Sequence, residues 1–433
     1  MKWSAHADRR VVEAVIATFH DSAEESYGRL SGFRYRDWLR SYHWLDASGM
    51  ALYFLDHVER LQIQTALPVA TLARLRQNRE DNRTRSATLF AEFIALNQAF
   101  QQAGVGYANL KGFSLSPASC PDPTLRCQLD LDFLVDGNQL DVCRQILART
   151  GYALSGATNT VWEFRAGASE LANMKDHYKA KPQRSVELHF AASEAAPYLP
   201  FRDGRLDRLG LHTWNGVTFP ALRPADQFVQ QALHIFQHLC SPCTRAAWLL
   251  ECRNHIASRY RDQFFWEEVR AVSRPHRHAS IAIGLTVLLG SRLYGGETPP
   301  QLEEWTSDCL PATVRLWADQ YGREAILADF PGTKLYLLLL DELAKDRGDR
   351  DRSAWQKSKR RSLIPLHRAP RIVTTSPADG MTRRVCAEIN QARFLLFRLR
   401  FHLTAGTRYI IASARWKRRL ALLHGYRPDP IVD

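Results

Sequence analysis

Nowhere in these 433 residues do about 18 apolar side chains follow one another, so no segment is read as crossing a bilayer. The opening residues, MKWSAHADRRVVEAVIATFHDS, lack the apolar core and small-residue cleavage site of a secretory signal, and the expectation is a soluble, cytoplasmic protein. There is no dense cysteine framework either. The eight cysteines (Cys120, Cys127, Cys143, Cys240, Cys243, Cys252, Cys309 and Cys386) are scattered, and most are expected as reduced thiols in packed helices. Internal repeats are missing. So is any charge excess in the first 350 residues, which balance at 40 basic and 40 acidic side chains. The whole of the +13 lies in residues 351–433, where 18 Lys and Arg face 5 Asp and Glu.

What is present begins with helical periodicity. VVEAVIATF, the Asp46–Gln64 segment and SATLFAEFIALNQAFQQAG read as helix; in the last, Leu89, Phe90, Phe93, Ile94, Leu96 and Phe100 recur near helical spacing and Gly104 supplies a stop. From Val105 the pattern turns to short strands: GVGYANLKG, LDLDFLVD, VWEFRA and RSVELHF, with a helix over Gln139–Arg149. Helical patterns return from Ala225, after Pro200, Pro220 and Pro224 mark a joint. The expected organisation is an N-terminal helical region (1–104), an α/β core (105–222), a helical domain (223–345), a charged linker or loop (346–382) and a basic C-terminal helix (383–433). The fold class is α+β.

Within the α/β stretch, Asp130 and Asp132 alternate with Leu129, Leu131 and Phe133, so the two carboxylates are expected on one strand face and the apolar side chains on the other. Such a pair suits magnesium carrying a nucleoside triphosphate. An acid-x-acid pair alone is weak evidence, since about five arise by chance in a chain with 45 acidic residues. The second alternating segment adds Glu187 and His189 on a polar face opposite Val186, Leu188 and Phe190. Three carboxylates on two neighbouring strands fit in-line displacement at phosphorus with two magnesium ions.

Leu110-Lys111-Gly112, Arg126 followed by Asp130-Leu131-Asp132, and Val186-Glu187-Leu188-His189-Phe190 together resemble the bacterial uncharacterised nucleotidyltransferase family of the DNA polymerase beta-like superfamily. The resemblance runs from about Leu72 to Ile256 and takes in His234 and Trp248-Leu249-Leu250-Glu251, with Glu251 where Asp is more usual. It implies a polymerase beta-like core, a small mixed sheet with flanking helices, between the helical regions. It also implies that Asp130 and Asp132 bind both metals and that Glu187 binds the catalytic one and helps deprotonate the acceptor. Lys111, Gly112 and Arg126 would then serve the triphosphate, with His189 and, in the Lys175–Lys179 loop, His177 as further nucleotide contacts. The activity implied is transfer of a nucleoside monophosphate from an NTP, ATP foremost, to a hydroxyl or phosphate of RNA, a small molecule, a peptide or a protein. The competing reading is a degenerate transferase fold that binds nucleic acid or a partner.

His234, His238, Cys240 and Cys243 invite a zinc reading, but only one residue separates His238 from Cys240 and Pro242 interrupts the run. The C-terminal RFLLFRLRFHLTAGTRYIIASARWKRRLALL is a basic amphipathic stretch. Three uses stay open for it: RNA or another polyanion, an anionic membrane surface, or packing on the protein's own core.

Overall fold

The computed structural model describes residues 7–167, 177–180, 183–190, 205–345, 359 and 380–423. Most of the charged segment expected at 346–382 lies outside the described residues. By its internal contacts the chain divides into two compact units. One comprises residues 7–236 and 245–310, the other 1–6, 237–244 and 311–433.

The first unit begins with α1 (Arg9–Ala17), α2 (Ala23–Ser31), α3 (Tyr35–Ala47) and α4 (Met50–Arg60). Gly49, at a φ of 76°, separates the last two, so the Asp46–Gln64 segment is not one helix. α5 (Val69–Gln102) follows Pro68 and is far longer than its apolar signature. Its second half carries Phe93, Leu96 and Phe100, while its first half buries Asn78 and Asn82, polar residues that no apolar pattern reveals.

A seven-stranded mixed sheet packs against α5 and α6 (Leu140–Arg149). Its strands are β1 (Tyr107–Leu110), β2 (Leu131–Val135), β3 (Ala153–Ala157), β4 (Val161–Ala166), β5 (Arg184–His189), β6 (Leu209–Trp214) and β7 (Val217–Leu222), in the order β3-β4-β5-β2-β1-β7-β6. β2 runs parallel to β5, and β1 parallel to β7; the other neighbours are antiparallel. The fold is α+β. Phe133, Phe164, Val186, Leu188 and Phe219 fill the face beneath the two helices. β6 and β7 join through Asn215-Gly216, both at positive φ, the pair that a two-residue hairpin requires.

One sequence expectation fails here. β2 starts at Leu131, and Leu129, which precedes it, is 38% exposed rather than packed with Leu131 and Phe133. The strand period applies only from Leu131 onward.

The unit closes with α7 (Pro224–Leu239, part of it through Phe236), α8 (Ala246–Ser258), α9 (Gln263–Ser273), α10 (Arg277–Tyr294) and α11 (Pro300–Cys309). The second unit holds α12 (Ala312–Trp317), α13 (Arg323–Ile326), α14 (Tyr336–Ala344) and the 43-residue α15 (Met381–Leu423). Trp317 is fully buried there and donates its indole N–H to the Leu335 carbonyl at 3.0 Å. None of the eight cysteines is in a disulfide, but Cys120, Cys127, Cys240 and Cys243 sit outside the helices and Cys386 is exposed, which corrects the expectation of packed helical thiols.

Candidate active site

The site grows from the middle of the sheet. Because β2 pairs with β1 on one side and β5 on the other, Asp132 stands between Leu110 and Glu187. Parallel register puts the two carboxylates side by side on one face. Glu163 of β4 stands directly opposite Glu187 and extends the acidic row, with Arg165 bound to it at 2.6 Å. Leu134 and His189 are likewise register partners, and the imidazole Nε2 lies 2.8 Å from Asp132 Oδ1 and 3.3 Å from Glu187 Oε2.

Lys111 completes the cluster, its ammonium donating to Asp132 Oδ1 at 3.0 Å. It sits at φ 52° and ψ −156°, in backbone space that a residue with a Cβ seldom occupies. Strain of this kind, about 1–3 kcal/mol, persists where neighbours over-determine the geometry. Here they do. Ser114 donates to the Lys111 carbonyl through both its amide, at 3.0 Å, and its hydroxyl, at 2.7 Å. Gly112 follows at φ 51°, and a Cβ there would lie 2.3 Å from Gln128 Nε2. That nitrogen holds the Asp130 carbonyl at 2.9 Å, so Gly112 and Asp130 are coupled through one side chain.

Charge is unevenly shared. Burial raises the Asp130 carboxyl, the negative Asp132 adds to it, and the group reaches about 6 despite Lys111. Asp132 is buried more deeply, yet Lys111 and His189 outweigh desolvation and hold it well below the usual carboxylate range. Burial works against the charge of Lys111 and His189, but the carboxylates prevail and raise both. The arrangement keeps Asp132 ionised beside the Lys111 ammonium and the His189 imidazole. Among the described residues, the ligand atoms of Asp132, Glu187 and His189 lie within 4.8 Å of one another, the one group there with such metal-ligand spacing. Asp130, just before the strand, is not part of that group.

Arg126 is placed by different means. Its Nε donates to Glu251 of α8 at 3.2 Å, and Tyr53 of α4 donates to the same carboxylate at 2.9 Å. Glu251 is 2% exposed, and Cys120, whose thiol is pushed up to about 12 by burial and then by Glu251, stays neutral beside Tyr53. Arg126 and Glu251 therefore form a buried ion pair that aims the guanidinium. The loop carrying Arg126 is held at its carbonyls by side-chain amides: Asn82 of α5 reaches those of Thr124, at 2.6 Å, and Arg126, at 3.2 Å. At His177 the carbonyl accepts from Arg85 at 2.7 Å, and the ring packs edge-on to Tyr178 at 5.0 Å.

Beside Lys111 and Arg126 opens a narrow cleft. Its far wall is α7, through Gln227, Gln230, Gln231 and His234, with Trp248 edge-on to His234 at 4.7 Å. Gln227 donates to the Ser114 carbonyl. Gln231 is buried, accepts from Ser119 at 3.1 Å, and leaves its Nε2 without a hydrogen-bond partner. Sequence reasoning singled out His234 and Trp248 but missed the glutamines of this wall. The signal was there, a polar stripe at i, i+3, i+4 and i+7 (Gln227, Gln230, Gln231 and His234) among the apolar residues of DQFVQQALHIFQHL.

No curated protein matches the chain. Among solved structures it is similar to an antigenic nucleotidyltransferase-like protein from Paracoccidioides brasiliensis, at 14% identity over 46% of this chain and 90% of that one, with a TM-score of 0.27, too slight a likeness to carry an argument. The profile of the uncharacterised nucleotidyltransferases matches residues 35–293, a span that holds the carboxylate cluster, Lys111, the Arg126–Glu251 pair and the cleft. The chain therefore belongs to the uncharacterised nucleotidyltransferase family.

Proposed function

We propose that this protein is a magnesium-dependent nucleotidyltransferase that moves a nucleoside monophosphate from a nucleoside triphosphate, ATP foremost, to an acceptor hydroxyl or phosphate, releasing pyrophosphate. The observation that carries the reading is the register of Asp132 beside Glu187, with Lys111 at 3.0 Å from Asp132. The donor set fits magnesium: Asp132 and Glu187 offer hard oxygen ligands, and the negative charge now met by Lys111 and His189 is available to a cation. Asp132 and Glu187 would hold it, with Asp130 joining from the strand entry. Bound there, magnesium supplies neutralisation of charge at the reacting phosphate.

The chain's own groups do the rest. Glu187 accepts the proton of the acceptor hydroxyl as its oxygen attacks the α-phosphorus. The bond from that phosphorus to the bridging oxygen breaks, and the electron pair leaves with pyrophosphate. Lys111 and Arg126, the latter with Nε committed to Glu251, stabilise the leaving group. His189 steadies Asp132 and Glu187.

The test is incubation of purified protein with each α-labelled NTP, Mg²⁺ and cell extract. Label transfer and pyrophosphate release are expected to stop with EDTA and to fall at least about 100-fold in Asp132→Asn and Glu187→Gln. A second reading is favoured by one observation, that Asp132 Oδ1 already has the Lys111 ammonium at 3.0 Å and the His189 imidazole at 2.8 Å. In that reading the cluster is a structural ion network in a nucleotide- or partner-binding module. NTP binding of equal strength in wild type and both variants, with no pyrophosphate released, would establish it instead.

A further inference from the structure

α15 is anchored along one face and bare along another. Tyr409, Ala412 and Trp416 are buried; Tyr321 donates to the Ala412 carbonyl at 3.1 Å, and the Trp416 indole donates to Glu342 at 3.2 Å. Elsewhere on the helix Val385, Ile389, Leu396, Leu399, Leu403 and Ile410 are 46 to 69% exposed. Their spacings of four, seven, three, four and seven residues keep all six within one stripe. At 1.5 Å per residue the stripe runs about 38 Å. A continuous apolar surface of that length marks an interaction site.

Charge decides the occupant. α15 carries ten Lys and Arg against the single Glu388. Helical geometry sets the exposed Arg393, Arg400 and Arg418 along one flank of the stripe. Two copies packed seam to seam would bring two such positive excesses together. RNA is gripped through phosphates and stacking on aromatic rings, and the exposed stripe offers Leu, Ile and Val instead. An anionic lipid surface matches both features, phosphates for the arginines and the acyl boundary for the stripe. No helix among the described residues is long and apolar enough to cross a membrane, so the contact lies in the plane of the surface.

We propose that α15 docks on an anionic phospholipid surface, with Leu396, Leu399 and Leu403 at the acyl boundary and Arg393 and Arg400 at the headgroups. The proposal stands independently of the transferase reading. Deleting the helix would be a poor test, because it also strips Tyr409 and Trp416 from their unit. Substitutions on the bare face avoid this. Full-length protein is expected to sediment with phosphatidylglycerol/phosphatidylcholine vesicles and to stay in solution with pure phosphatidylcholine. Leu396→Asp with Leu403→Asp should weaken partitioning at least about tenfold while leaving circular dichroism and the melting temperature unchanged. Arg393→Gln with Arg400→Gln should reduce binding and flatten its dependence on salt. Three results would overturn the proposal. They are no sedimentation with anionic vesicles, full retention of binding in the aspartate variant with equal competition by RNA, or a vesicle-free dimer that the aspartate variant dissolves.

Discussion

Lys111 and Gly112 show how much of the site depends on two backbone conformations. Gly112→Ala would strain a φ of 51° and drive its Cβ into Gln128, which holds the Asp130 carbonyl. It is expected to cost about 1–3 kcal/mol in urea unfolding and to lower kcat more than it raises the KM for NTP. Lys111→Met removes a cation from a buried carboxylate. With His189 still in place, about 3 kcal/mol is expected, together with a weaker apparent NTP affinity in a binding titration. At this scale the sequence was informative: alternation put Asp132, Glu187 and His189 on one face, and the register joins them. It said nothing of Glu251 as the anchor of Arg126, because Tyr53, Arg126 and Glu251 are far apart in the chain and meet only through packing.

The elements differ in how well their sequences announce them. β2 and β5 alternate cleanly, and α5 shows its apolar half. β3, ALSGA, is exposed and short, and neither of its faces carries an apolar pattern. β6 and β7 are joined by Asn215-Gly216, a signal within reach of sequence reading; their parallel attachment to β1 through β7 is not local information. The apolar half of α5 matters most to the sheet. Phe93 packs at 4.8 Å from Phe219 and 5.1 Å from Phe113, which adjoins the Lys111-Gly112 turn. Phe93→Ala is expected to cost about 3–5 kcal/mol by urea denaturation, with an unchanged m-value. In α8, Glu251→Gln leaves the Arg126 guanidinium buried without its counter-charge. A loss of about 3–5 kcal/mol is expected, with Glu251→Asp retaining part of it.

Across the whole molecule, two buried groups give opposite responses to pH. Burial and then the charge of Arg259 lower His255 to about 3, so the stability it contributes is complete above its ordinary value of 6.5 and is lost as pH falls toward 3. Each unit in that window costs about 1.4 kcal/mol. Burial raises Asp46 to about 6 against the pull of Arg74, so its contribution is complete below 3.8 and is lost as pH rises through 6. Asp130 acts in the same direction as Asp46. The contributions offset one another between about pH 4 and 6. Melts across pH 4–7 should therefore show Asp46→Asn losing more stability on acidification than wild type, and His255→Asn losing less.

The sequence by itself determined which segments alternate and which recur at helical spacing, because side-chain periodicity is local, and it determined where the positive charge lies. It thereby determined the α+β class and made Asp130, Asp132 and Glu187 the candidate carboxylates. Only the tertiary structure decided that Asp132 lies beside Glu187 rather than a residue away, that Glu251 aims Arg126, and that α7 walls a cleft with an orphaned amide. The physical reason is that strand register and helix docking follow from the packing of both faces of an element at once, and one face's pattern cannot specify its partner.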